Sequence, residues 1–185
     1  MVVVNGRRWR NSRRTMLLPI HRGTLAIASQ DGGFVVAVGA PYDGTSERCR
    51  NGSVYVYSLS GSGSSFELLQ KIVPLELLGG DQFGSSLTVG NAAAYPNDNT
   101  NIRETRIAIG ARLRDDKGMD SRSVYMYLRR DGESEFSFEQ KLIPSEWSPG
   151  AEMGTSVDMD QHKVIVGARR NSMVCVERIT FNMTV

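Results

Sequence analysis

Residues that carry chemistry are scarce in this chain. Its 185 residues include two histidines, His21 and His162, and two cysteines, Cys49 and Cys175. A Cys–His nucleophile would need Cys175 to meet His162, with a third group to orient the ring. Nothing in their spacing brings that about. No Gly-rich loop leads into a Lys and a Ser or Thr, which excludes a phosphate cradle of that type. Gly61-Ser62-Gly63-Ser64-Ser65 is a Gly/Ser tract and reads as a flexible turn. Glu133 and Glu135 fall in a charged loop and do not form an acid/base pair. No enzymatic activity is expected.

Long apolar runs are missing too. The longest lies around Phe34–Ala40, far short of the roughly 20 residues that cross a bilayer. No transmembrane helix is expected. No signal peptide is visible, because Met16-Leu17-Leu18-Pro19-Ile20 is short and interrupted by proline. Cys49 falls in a predicted loop. Joining it to Cys175 would require units that are not sequence neighbours to touch, so no disulfide is expected.

Acids are absent from residues 1–22, which hold six arginines (Arg7, Arg8, Arg10, Arg13, Arg14 and Arg22). The rest holds 16 basic against 20 acidic residues, and the whole chain has a net charge of +2. Residues 1–22 read as a basic, disordered N-terminal segment. A nucleic-acid arm or a transit peptide is the alternative, and no nucleic-acid partner is expected.

What is present is a repeat. Ser53-Val54-Tyr55-Val56-Tyr57, Phe66 and Gln70-Lys71-Ile72-Val73-Pro74 return seventy residues later as Ser123-Val124-Tyr125-Met126-Tyr127, Phe136 and Gln140-Lys141-Leu142-Ile143-Pro144. Phe83-Gly84-Ser85-Ser86 returns as Met153-Gly154-Thr155-Ser156. An apolar strand ending in Gly-Ala occurs three times, at Gly39-Ala40, Gly110-Ala111 and Gly167-Ala168. A chain built this way is an array of one supersecondary unit.

Each unit reads as four short strands. In the middle copy these are Ser85–Val89, Arg106–Ala111, Ser123–Arg129 and Glu135–Ile143, separated by Gly, Asp, Asn and Ser clusters. The alternation Val54-Tyr55-Val56-Tyr57 puts valines on one face and tyrosines on the other. Neither face is polar, so the sheet should be covered on both sides, as in radially stacked blades. The expected fold is all-β, an open partial β-propeller of two and a half to three four-stranded antiparallel blades. The blades fall at about 23–80, 81–148 and 149–185, with a possible tail strand at Ile179–Val185. The middle copy carries a 13-residue insertion within Asn91–Thr105, since Gly84 to Gly110 spans 26 residues and Gly154 to Gly167 spans 13. Tyr95, Asn97, Asp98 and Arg103 in that segment are the candidate binding residues, Tyr95 as an aromatic anchor and Arg103 as a charged one. Two glycosylation sequons begin at Asn51 and Asn182.

Phe83-Gly84-Ser85-Ser86 followed by Ile109-Gly110-Ala111, with Gly39-Ala40-Pro41 in the first copy, resembles the markers of FG-GAP repeats. The resemblance covers residues 23–176. FG-GAP repeats build β-propellers, best known at the head of integrin α subunits and also in lectin-like and phospholipase-associated proteins. The resemblance implies a cell-adhesion-like binding module, extracellular or at the cell surface, with a protein or glycan ligand. It also leaves room for a structural fragment or the accessory propeller of a hydrolase. The chain departs from the pattern at Arg22-Gly23, at Met153 and at Arg112 and Arg169. Neither the turn Ser29-Gln30-Asp31-Gly32-Gly33 nor Asp158-Met159-Asp160-Gln161-His162 offers three alternating acidic positions for calcium. The 114–120 loop interleaves its acids with cations. No cofactor or metal is therefore expected. Two or three blades would expose apolar faces and strand edges, so further blades or self-association are expected.

Overall fold

The computed structural model describes residues 3–4, 7–8, 23–30, 33–44, 51–60, 65–77, 80–93, 103–111, 123–142, 152–160, 163–169 and 174–178. Every regular element among them is a strand: β1 Val3–Val4, β2 Arg7–Arg8, β3 Leu25–Gln30, β4 Gly33–Ala40, β5 Ser53–Ser60, β6 Glu67–Ile72, β7 Phe83–Ala93, β8 Arg103–Ala111, β9 Ser123–Arg130, β10 Ser137–Leu142, β11 Glu152–Met159, β12 Lys163–Arg169 and β13 Val174–Arg178. Within the basic N-terminal segment, β1 and β2 form a small antiparallel pair.

The repeat is three separate antiparallel sheets, each laid down in chain order. Unit 1 is β3-β4-β5-β6, unit 2 is β7-β8-β9-β10 and unit 3 is β11-β12-β13. The three Gly-Ala strands, β4, β8 and β12, are the second strand of three different sheets. They do not share one layer. Among the described residues unit 3 has no fourth strand, and the tail at 179–185 lies outside them.

Equivalence extends to the irregularities. Register shifts between Phe83 and Ser86 recur between Met153 and Ser156. Shifts at the β5–β6 pairing recur at β9–β10. Gly84 and Gly154 both hold positive φ, 85° and 78°, the backbone state that a bulge of this kind demands of a glycine.

The alternating faces are apolar on both sides, as the sequence requires. Val54 and Val56 are fully enclosed, as are Val124 and Met126, and the intervening Tyr57, Tyr125 and Tyr127 are also buried. The largest core lies between units 1 and 2. Val35, Ala37, Val54, Val56 and Ile72 of unit 1 meet Leu87, Val89, Ile107, Ile109 and Tyr125 of unit 2. A second core joins the far face of unit 2, through Ala108, Val124, Met126 and Leu142, to Met153, Val164 and Val166 of unit 3. Unit 2 thus offers one face to unit 1 and the other to unit 3. Burial of this apolar surface, at about 25 cal/mol per Å², is what holds the array together.

A polar lock repeats at each junction. The Thr24 hydroxyl donates to the carbonyl of Gly84 at 2.9 Å, and the Ser86 hydroxyl donates to the carbonyl of Gly154 at 2.7 Å. Thr24 also accepts the Gly39 amide through its carbonyl at 2.8 Å, which puts it where Ser86 sits against Gly110. This corrects the sequence alignment of unit 1. Gly23 falls opposite Ser85, one position beyond the glycine of the Phe-Gly pair.

The insertion in unit 2 is in part strand. The β3–β4 hairpin closes at the pair Gln30 and Gly33, whereas β7 and β8 run on to Ala93 and Arg103. Asn91 ties this longer hairpin down. Its amide donates to the Ser29 carbonyl of unit 1, and its side-chain oxygen accepts from the Thr105 hydroxyl at 3.1 Å.

Candidate functional site

Antiparallel order sorts the connections to two ends of the sheets. The β3–β4, β5–β6, β7–β8 and β9–β10 links lie at one end. The β4–β5 and β6–β7 links lie at the other.

The segment with the sequence-predicted binding residues is at the first end. Arg103 opens β8, its backbone paired with Ala93. Tyr95, Asn97 and Asp98 lie outside the described residues, as does Asn182. Cys49 lies outside them too. Cys175 is on β13 opposite Val166, the place that Tyr125 takes opposite Ile109 in unit 2. It therefore stands in the repeat as a member of the tyrosine row.

At the second end the structure builds a cluster that the sequence did not single out. Ser53 and Tyr55 open β5, Lys71 lies near the end of β6, and Asp43 comes from the β4–β5 link. The Asp43 carboxylate accepts from the Ser53 hydroxyl at 2.6 Å and from the Tyr55 hydroxyl at 2.7 Å, and pairs with Lys71 Nζ at 2.9 Å. Lys71 Nζ also stands 5.0 Å from the centre of the Tyr55 ring. Burial alone would raise the Asp43 carboxyl, but the bonds from Ser53, Tyr55 and Lys71, with the Lys71 charge, outweigh it and lower its pKa to about 2. The bond to Asp43 raises Lys71 in turn. The two shifts agree on a settled ion pair.

Beside the cluster is a cleft of about 300 Å³ lined by Asp43, Asn51, Ser53, Lys71 and Val73. Asn51, the acceptor of the first sequon, is half-buried, and its amide nitrogen donates to the Leu77 carbonyl at 3.3 Å. Its sequon partner Ser53 is fully enclosed.

Unit 2 carries the same cation-over-ring arrangement with a different carboxylate. Lys141 Nζ is 5.1 Å from the Tyr125 ring centre and 3.4 Å from Glu76, which the β6–β7 link supplies. Burial and the Glu76 bond raise the Tyr125 phenol. Burial, then the Glu76 charge, pushes Tyr127 up to about 12.

Chemically, these are clasps. A carboxyl held near about 2 is a poor proton acceptor at neutral pH. The Ser53 hydroxyl is enclosed and committed to Asp43. Among the described residues no three His, Cys, Asp or Glu side chains gather as a metal site, and no helix is long and apolar enough to cross a membrane. The signal for the Lys–Tyr half was in the repeat. Asp43 and Glu76 occupy non-equivalent positions, so no periodicity could have pointed to them.

The chain matches no protein-family model and no curated protein sequence.

Proposed function

We propose that this chain is a non-catalytic binding module made of propeller-type blades of the FG-GAP kind, one part of a larger ring. On this reading it engages a protein or glycan ligand outside the cell. The stacking of three equivalent sheets through the same hydroxyl-to-carbonyl lock supports the blade reading. The observation that carries the binding reading is the β7–β8 hairpin. It alone, among the hairpins between first and second strands, runs past its equivalents, and it is pinned to unit 1 through Asn91 and Ser29. Ligand sites on repeat scaffolds fall on such added loops, because they change without disturbing the core. Tyr95, Asn97, Asp98 and Arg103 would supply the contacts. The clasp at the other end supports a scaffold role, since its charged groups are spent on each other.

The test is to replace residues 94–102 with Asn-Gly and compare the two chains on arrays of glycans and of extracellular-matrix proteins. A ligand bound by the native chain and lost in the variant, at unchanged melting temperature, is the expected result. Equal binding by both chains, or none by the native chain, overturns the reading.

A further inference from the structure

The hydroxyl-to-carbonyl lock has a third copy, and it is open. In units 1 and 2 the first strand sets a hydroxyl residue against the glycine of the Gly-Ala pair, Thr24 at Gly39 and Ser86 at Gly110. Ser156 of β11 takes the same station and pairs with Gly167. All three hydroxyls crowd the space where a Cβ on their glycine would sit. At Gly39 and Gly110 that space also holds a carbonyl of the next unit, from Gly84 and Gly154. At Gly167 the nearest atoms all belong to Ser156. Ser86 is 7% exposed and gives its hydroxyl to Gly154. Ser156 is exposed, and no described residue takes its hydroxyl.

The surface around the open lock corresponds to the two faces that are already joined. Ile165 lies two residues before Gly167, at the station of Ala37 in unit 1 and Ala108 in unit 2. Both alanines are fully buried, each in the core that its unit shares with the next. Ile165 is 45% exposed. Lys163 takes the station of Arg106, which is buried with Glu104 and Glu139 beside it. A cation there is therefore compatible with a closed junction when its own unit supplies carboxylates, and Asp158 is on the same face of unit 3. A repeat of this kind buries such a face by stacking on a neighbour.

We propose that this face of unit 3 is the docking site of a further unit of the same repeat, whose first strand carries a bulge glycine and gives that glycine's carbonyl to the Ser156 hydroxyl. The glycines in the two closed junctions, Gly84 and Gly154, hold φ of 85° and 78°. The occupant is specified accordingly. Its first strand opens on an apolar residue, a glycine and, two residues on, a serine, as Phe83-Gly84-Ser85-Ser86 and Met153-Gly154-Thr155-Ser156 do. Its inner face is apolar, with room for Ile165. Unit 1 of a second copy does not meet this description. At the bulge station the sequence has Arg22, and a bulky residue rarely takes that backbone state. This rests on the chain being part of a larger ring, and adds where the ring continues and what the joining unit must carry.

The experiment keeps the chain whole and appends a second copy of unit 2, residues 80–142, after residue 185 through a flexible linker of about 15 Gly and Ser residues. Amide hydrogen exchange of β11 and β12 is compared between the native and extended chains. The expected result is exchange slowed by more than about tenfold in the extended chain, because the new junction must open first. There Ser156→Ala should give back about fivefold of that slowing, the worth of one hydrogen bond. Ile165→Glu should give back all of it, since the charge is buried without a partner. In the native chain both side chains meet solvent, and each substitution should change exchange by less than about twofold. Unchanged exchange in the extended chain overturns the proposal, and so does slowing that survives both substitutions. Slowing at β3 and β4 instead also overturns it, while leaving the larger ring standing with its joint at unit 1. A native chain that self-associates in sedimentation, and loses this with Ile165→Glu, makes a second copy the occupant and overturns it too. Ligand binding by residues 94–102 is read on separate arrays and fails or succeeds apart from all of these.

Discussion

Gly39 and Gly84 belong to different sheets, yet a methyl group on Gly39 would overlap the Gly84 carbonyl oxygen. The same relation holds between Gly110 and Gly154. In units 1 and 2 the glycine of the Gly-Ala pair is thus a passage for the backbone of the next unit. The hydroxyl of Thr24 or Ser86 closes the passage with a hydrogen bond.

Gly110→Ala should accordingly act on the junction between units 2 and 3. The Gly154 carbonyl and the Ser86 hydroxyl both occupy the space that a Cβ needs. We expect a loss of roughly 3 kcal/mol, in the range of severe backbone clashes. Gly132→Ala is the control. Its φ of 84° costs about 1 kcal/mol of strain, but open space surrounds it. Urea unfolding of the two variants checks the contrast, and equal losses would contradict the packing account.

Much of this was legible because period-two alternation and a seventy-residue offset are local properties of the chain. Val54-Tyr55-Val56-Tyr57 specifies a strand with two covered faces wherever it is placed. The start of unit 1 was not legible to the residue. Its aromatic-glycine marker is absent, and Thr24 is identified only by the carbonyl its hydroxyl reaches. The Asp43 clasp was hidden for a similar reason. Repetition exposed Tyr55 and Lys71 through Tyr125 and Lys141, but their carboxylates come from unrelated links. Cys175, by contrast, could be placed from the repeat alone.

Asp43→Asn should cost roughly 1 kcal/mol at neutral pH, after discounting the pair for solvent screening. The folded-state carboxyl is depressed from 3.8 to about 2. Its contribution is therefore present above pH 3.8 and is lost as pH falls from there through about 2. Melting temperatures of both chains should converge over that window. A gap that persists at its acid end would show that the clasp acts through packing alone.

Gln70 reaches from β6 to the backbone of unit 2. Its amide nitrogen donates to the Phe136 carbonyl at 3.1 Å, and its oxygen accepts the Phe136 amide at 2.8 Å. The side chain imitates one rung of a ladder between two sheets. Gln70→Leu should cost about 1 to 3 kcal/mol, because a peptide group near the buried Phe136 ring loses both partners. Amide hydrogen exchange at Phe136 should accelerate with it, and unchanged exchange would count against the bridge.

Arg106 is the charged residue inside the second junction. It stands where unit 1 has Val35, and it pairs with Glu104 at 2.7 Å and Glu139 at 3.0 Å. Glu104 is itself buried, while Glu139 is partly exposed. Arg106→Met alone should cost about 1 to 3 kcal/mol, because the enclosed Glu104 carboxylate loses its nearer cation and keeps only Arg130 at 3.4 Å. Adding Glu104→Leu should restore most of that loss, since a buried ion pair adds little over apolar side chains of similar volume. Chemical denaturation of the single and double variants decides it. Additive losses would mean that the pair is worth more than the burial cost it repays.

The buried tyrosines set the alkaline limit. Tyr127 has its phenol raised from 10.0 to about 12 by burial and by the Glu76 charge. A phenol raised in the folded state contributes stability that is whole below pH 10.0 and is lost as pH climbs through about 12. Phenolate absorbance should therefore rise together with the loss of β-sheet circular dichroism, because Tyr127 ionises freely only when its sheet opens. Tyr127→Phe keeps the ring and removes the ionisation. Its alkaline unfolding midpoint should move upward, while neutral-pH stability stays within about 1 kcal/mol of the native chain. A midpoint that does not move would assign alkaline unfolding to other groups, with Tyr125, raised by burial and then by its bond to Glu76, the next to replace.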